Sequence, residues 1–149
     1  MKLKIVPLEG VSELNFGLTA QQVKEILGPP EDSEIDNSDG ELREFRRKSG
    51  LQTVYSDRGA RLVEIGFSRN ITELEFDGVR LFQVSEEDAL AAFRKRGARA
   101  HEVRGFLVFL DLGVTLTGFH DGASDQLAVT VFERGRWDDA KEDMNPYRL

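Results

Sequence analysis

Leu18-Thr19-Ala20-Gln21-Gln22-Val23-Lys24-Glu25-Ile26-Leu27-Gly28-Pro29-Pro30 carries helix signals at both of its ends. Thr19 and Gln22 have the spacing of a capping box, in which each side chain satisfies a free backbone N–H at the helix start. Leu18 is placed to staple onto Val23. Val23, Ile26 and Leu27 recur at helical spacing and make one apolar stripe. Gly28 can take the left-handed conformation that ends a helix, and the two prolines forbid its continuation.

Strand patterns follow this helix. A polar run at 31–41 holds Glu31, Asp32, Glu34, Asp36, Asp39 and Glu41 and reads as a solvated loop. A calcium loop starting at Asp36 would need Gly and Glu where Glu41 and Arg47 stand, so that motif fails. Strands are expected at 42–47 and 51–56 around Ser49-Gly50, then at 61–67 after Asp57-Arg58-Gly59. Another is expected at 71–76, before the hairpin signal Asp77-Gly78.

A second cap, Ser85, then opens an apolar stripe of Ala89, Leu90 and Phe93 that Gly97 closes. Strands are expected at 106–110, 114–119 and 127–132, with the nearly all-apolar 106–110 placed centrally. Residues 138–149 read as a polar tail.

The two halves resemble each other. Phe16-Gly17-Leu18-Thr19 matches Phe82-Gln83-Val84-Ser85, and Leu62–Phe67 matches Leu127–Phe132. Tyr55-Ser56-Asp57 likewise resembles Phe119-His120-Asp121. Matches at nearly one spacing indicate an internal repeat. The expected fold is therefore α+β in one domain, residues 1–149, with pseudo-repeats at 14–77 and 80–135. Two helix-plus-antiparallel-strand units would join into one twisted sheet with both helices on one face. The other face would be open.

Alternation assigns Tyr55, Glu64, Thr115, Thr117, Phe119 and Thr130 to that open face, with Trp137 at its rim, and turns Val63, Ile65, Leu116, Val129 and Val131 inward. Exposed aromatics among threonines suit an interface core with a polar rim.

The run from Phe16 to Val23, closing on Leu27-Gly28-Pro29-Pro30, resembles the helix entry of the SmpA/OmlA group of outer-membrane assembly lipoproteins. Duplicated, the unit is similar to the β-lactamase inhibitor protein, in which two helix-plus-strands units form a sheet that grips a target protein. The second unit has Gly97-Ala98-Arg99 where the lipoprotein pattern has its closing Gly-x-Pro. The resemblance implies this fold and a protein-binding role, without implying the same target.

The chain has 149 residues, 40% hydrophobic and 32% charged, which is enough for a core without staples. It has no cysteine, which removes disulfides, thiolate metal sites and cysteine nucleophiles. The first nine residues lack the apolar stretch of a signal peptide, and no stretch is long enough to span a membrane. A cytoplasmic location is expected. The net charge of −7 argues against sequence-independent nucleic-acid binding, which needs clustered cations, and favours solubility or a basic protein partner. The one basic run, Arg94, Lys95, Arg96, Arg99 and Arg104, reads as the solvated end of the second helix.

No nucleophile elbow, zinc-protease motif or phosphate loop occurs. No metal and no cofactor are expected, since His101 and His120 are poorly spaced as a ligand pair. The leading expectation is a non-enzymatic protein-binding module of inhibitor or immunity type, whose partner is another protein. The alternatives are a small hydrolase or isomerase using His120 and Asp121, or a regulatory subunit.

Overall fold

The computed structural model describes residues 2–149. Its fold mixes helix and strand and is dominated by sheet. The first helix, α1, runs Ala20–Leu27. The Thr19 hydroxyl accepts from the Gln22 N–H at 3.1 Å, and the Gln22 side chain accepts from the Thr19 N–H at 2.9 Å. The second, α2, runs Glu86–Lys95 behind Ser85, whose hydroxyl accepts from the Asp88 N–H. Neither is long and apolar enough to cross a membrane.

The strands are β1 (Leu3–Val6), β2 (Gly10–Val11), β3 (Leu14–Asn15), β4 (Asp32–Ile35), β5 (Leu42–Arg46), β6 (Leu51–Ser56) and β7 (Arg61–Ser68) in the first half. They continue as β8 (Leu74–Phe76), β9 (Val79–Arg80), β10 (Ala100–Val103), β11 (Phe106–Phe109), β12 (Val114–Thr117), β13 (Ala128–Phe132) and β14 (Asn145–Tyr147). One sheet was expected, and two are found among the described residues. The larger has nine strands in the order β14-β10-β11-β12-β13-β7-β6-β5-β4. The smaller has five, in the order β3-β2-β1-β8-β9. Expected strand 71–76 shortens to β8 because it turns away from the large sheet to pair in parallel with β1.

In the large sheet each helix is followed by four antiparallel strands. β4 to β7 run outward-in from one edge, and β10 to β13 do so from the other side. They meet where β7 pairs with β13 in the register Val129↔Phe67, Thr130↔Gly66 and Val131↔Ile65. The expected acidic loop contains β4, an edge strand that is exposed along its whole length. Burial periodicity could not reveal it, because it buries nothing.

One face of the large sheet is covered from β5 across to β11. Leu51, Ile65, Phe67, Val129, Val131, Leu116 and Leu107 share a single core with Val23 of α1, with Ala89 and Phe93 of α2, and with Leu3, Ile5 and Leu74 of the small sheet. Both helices therefore pack on the same side. Rings carry the second half of this core. Phe76 stacks on Phe93 at 4.2 Å and Phe93 on Phe109 at 4.6 Å between centroids.

The expected tail at 138–149 is corrected. Asp138–Asp143 forms a 3-10 helix with Ala140 buried, and β14 pairs antiparallel with β10. The segment is polar on average, but Trp137 and Met144 pack on Val103, Val108 and Phe132 of the second sheet face.

Candidate partner-binding face

Registers place one residue from each of six strands, β5, β6, β7, β13, β12 and β11, in a row across the second face. Phe45 lies opposite Gln52, Gln52 opposite Gly66, Gly66 opposite Thr130, Thr130 opposite Thr115, and Thr115 opposite Val108. The row divides in the middle. On the β11–β12 side it runs beneath the apolar cluster of Trp137 and Met144, and Thr115 is only 2% exposed. On the β5–β7 side nothing among the described residues covers it.

A groove of about 380 Å³ opens there, lined by Phe45, Arg47, Gln52, Gly66, Ser68 and Thr130. Its floor is low because Gly66 has no side chain. The Arg47 guanidinium lies 5.0 Å from the centre of the Phe45 ring. Such a pair joins a flat apolar surface to a positive charge at low conformational cost.

Glu64 forms a wall between this groove and a second pocket, lined with Arg104, Arg136 and Trp137. Arg136 fixes that wall. Its Nε donates to Glu64 at 2.9 Å, and its Nη atoms donate to both carboxylate oxygens of Glu41. Burial works against the Arg136 charge, but the hydrogen bond to Glu41 and the charge of Glu64 outweigh it and raise its pKa. The hydrogen bond from Arg136, aided by its charge, holds the Glu41 carboxyl below the usual range.

Glu64, Thr130 and Trp137, three of the residues assigned from sequence, thus line two adjoining hollows. Thr117 is half-buried beside them, opposite Ala128 and Phe106. Three other assignments are corrected. Thr115 belongs to this face but lies covered. Tyr55 is fully buried in the core on the opposite face. It keeps the period-two phase of Leu51, and its partner is Leu62, because β7 bulges at Val63 between the partners of Val54 and Tyr55. Phe119 is 4% exposed and packs toward Phe82. The strand alternation stops at Thr117, because Gly118 takes φ 84° and returns the next side chain to the core. A side chain at Gly118 would meet the Ala123 carbonyl oxygen, so glycine is required there.

Tyr55 has a different role. Its hydroxyl donates to Glu44 at 2.9 Å and lies 3.0 Å from Thr53 Oγ1. Arg46, also buried, donates to Thr53 and to the Gly28 carbonyl at the end of α1. Burial pushes the Tyr55 pKa up to about 12, against the Thr53 hydrogen bond and with the help of Glu44.

The His120–Asp121 pair is not assembled. The Asp121 carboxylate accepts from the Ala123 N–H within its own turn. The His120 Nε2 lies 2.5 Å from Glu102 instead, the ring packs edge-on against Tyr147, and its side chain is 2% exposed.

Sequence reasoning missed Phe45, Arg47, Gln52 and Gly66. Residues 42–47 carry charge on both faces, so alternation could not orient them. The available signal was Gly66 itself, since a glycine inside a strand marks a close approach to the backbone. No family model, no curated protein and no solved structure matches this chain.

Proposed function

We propose that this chain is a non-enzymatic protein-binding module, of inhibitor or immunity type, that acts in the cytoplasm and grips one partner protein on the uncovered half of its large sheet. The observation that carries the reading is the groove over Gly66, with Phe45 and Arg47 at one rim and Glu64 and Trp137 toward the other. Aromatic and arginine side chains beside a hollow that a partner can fill are the chemistry of interface hot spots. The sheet supplies a rigid floor, because all of its groove-lining strands are paired on both sides.

A tandem-repeat origin fits this reading. α1 with β4–β7 and α2 with β10–β13 follow one element order and join at their last strands. Two repeats joined in this way would give a sheet wide enough to hold a partner segment. The likeness of Phe16–Pro30 to the lipoprotein helix entry points to the same binding style.

The test is a titration of the recovered partner against the parent chain and Phe45→Ala. Truncating a central aromatic in an interface typically costs about 2 kcal/mol or more of binding. The expected result is that loss together with a melting temperature close to that of the parent. Undiminished affinity in a folded Phe45→Ala chain would remove this face from the interaction.

A further inference from the structure

A second site lies at the far end of the molecule, where residues after α2 meet β10 and β14. A pocket of about 540 Å³ there is rimmed by Arg94, Arg99 and Arg148 and floored by Ala98, Pro146 and Tyr147. None of its lining side chains is an aspartate or glutamate, in a chain with a net charge of −7. The groove and the pocket beside Trp137, by contrast, each include Glu64.

The fold gathers this charge from two places. Of the basic run in the sequence, Arg96 is drawn off by a two-oxygen ion pair with Asp77, and Arg104 by Asp143. Arg94, Lys95 and Arg99 remain, all exposed; Arg94 and Arg99 line the pocket, and the pairing of β14 with β10 brings Arg148 beside them. These arginines are not needed to cap α2. The carbonyls of Ala92, Phe93 and Arg94 already accept from the backbone N–H groups of Arg96, Ala98 and Gly97.

The geometry points to a binding site for a phosphate monoester whose organic part includes a flat ring. Guanidinium groups present paired N–H donors that match carboxylate and phosphate oxygens alike, and three of them around one hollow suit a dianion better than a single charge. Ala98, Pro146 and Tyr147 offer contact to a ring, and His101 and Leu149 complete the lining. Phosphotyrosine and a nucleoside monophosphate share this chemistry. The site is independent of the groove over Gly66 and lies on other strands.

The test is calorimetric titration of the full chain with inorganic phosphate, phosphotyrosine and AMP, alongside the dephosphorylated tyrosine and adenosine. Saturable one-to-one binding of a ring-bearing phosphate is expected, with phosphate alone weaker by about tenfold or more. Saturation by phosphotyrosine alone assigns a modified protein side chain as the source, and saturation by AMP alone assigns a nucleotide. The double variant Arg99→Ser/Arg148→Ser should bind about tenfold or more weakly and melt with the parent, since both side chains are exposed. Arg58→Ser/Arg80→Ser removes the same charge elsewhere and should bind normally. The assignment is overturned if no probe saturates, if the Arg99/Arg148 variant binds as the parent does, or if both double variants weaken binding equally.

Discussion

Beside α1 the large sheet meets its helix through charge, and beneath α2 it does so through stacked rings. The strands occupying the same place in the two halves, β5 and β11, make the contrast plain. The covered face of β5 presents Leu42, Glu44 and Arg46, whereas that of β11 presents Leu107 and Phe109. Arg46 ties the sheet to the carbonyl of Gly28 and, through Thr53, to Tyr55. Phe109 ties it to α2 through Phe93. The same element order is thus compatible with two unlike ways of seating a helix. The ring stack draws on burial and is insensitive to direction. The charged network fixes one position of the helix end, and it is stable only while every member keeps its partner.

Removing the ring at the centre of the stack should have the largest effect. Phe93→Ala should cost about 3–5 kcal/mol, the usual range for emptying an aromatic site in a tight core. Urea or thermal unfolding would measure it, and a cost below about 1 kcal/mol would mean that the stack does not seat α2. Arg46→Met should come next, at about 3 kcal/mol, because it strands the Glu44 carboxylate and the Gly28 carbonyl with little water. A neutral result would erase the contrast, leaving the network with no part in stability.

Tyr55→Phe should cost about 1–2 kcal/mol by removing the hydroxyl that Glu44 accepts from. It also carries a pH signature. The folded-state pKa near 12 lies above the ordinary value of 10.0, so the contribution of Tyr55 is intact below pH 10 and is lost as pH rises through 12. The parent should lose stability over that window, and Tyr55→Phe should lose less. Equal slopes would place the phenol in water.

Glu41→Gln should have the smallest effect on stability, about 1 kcal/mol or less, as for a partly solvated ion pair. Its pKa is lowered by Arg136, so its contribution is present above the ordinary 4.5 and fades as pH falls through the folded value. Acid unfolding of the parent should therefore be steeper at that step than that of the variant.

Much of this architecture was readable from residue pattern. Thr19–Gln22 and Ser85–Asp88 announced both helix starts, and the Asp-Gly and Ser-Gly turns bounded the hairpins correctly. What escaped reading was set by tertiary pairing. β4, β10 and β14 have too little apolar periodicity to signal themselves, and each is specified by the strand beside it. Tyr55 keeps the phase of Leu51 and was misplaced because the extra residue Val63 in β7 breaks the alternation that told the two faces apart there, and Phe119 was misplaced because it follows a left-handed glycine. Half of the second face was expected to be bare because 138–149 averages polar, although Trp137, Ala140 and Met144 are enough to seat the segment. Buried Glu44 and Arg46 inverted the ordinary meaning of charge in a strand, and so hid Phe45 on the opposite side.

The central claim, that the uncovered half of the sheet holds a protein partner, is most directly tested at Gly66. Its backbone is extended, and a Cβ there would make ordinary contact with Gln52 at 3.6 Å. Gly66→Tyr should therefore fold with unchanged or slightly higher stability, since glycine weakens a strand interior by about 0.5–1 kcal/mol. Its ring should fill the groove. The measurement is quantitative recovery of a partner from the source cell lysate by parent and variant chains, with melting temperatures recorded in parallel. The account predicts one stoichiometric protein on the parent, lost from a Gly66→Tyr chain that melts at or above the parental temperature. Equal recovery of that protein by both chains would contradict it.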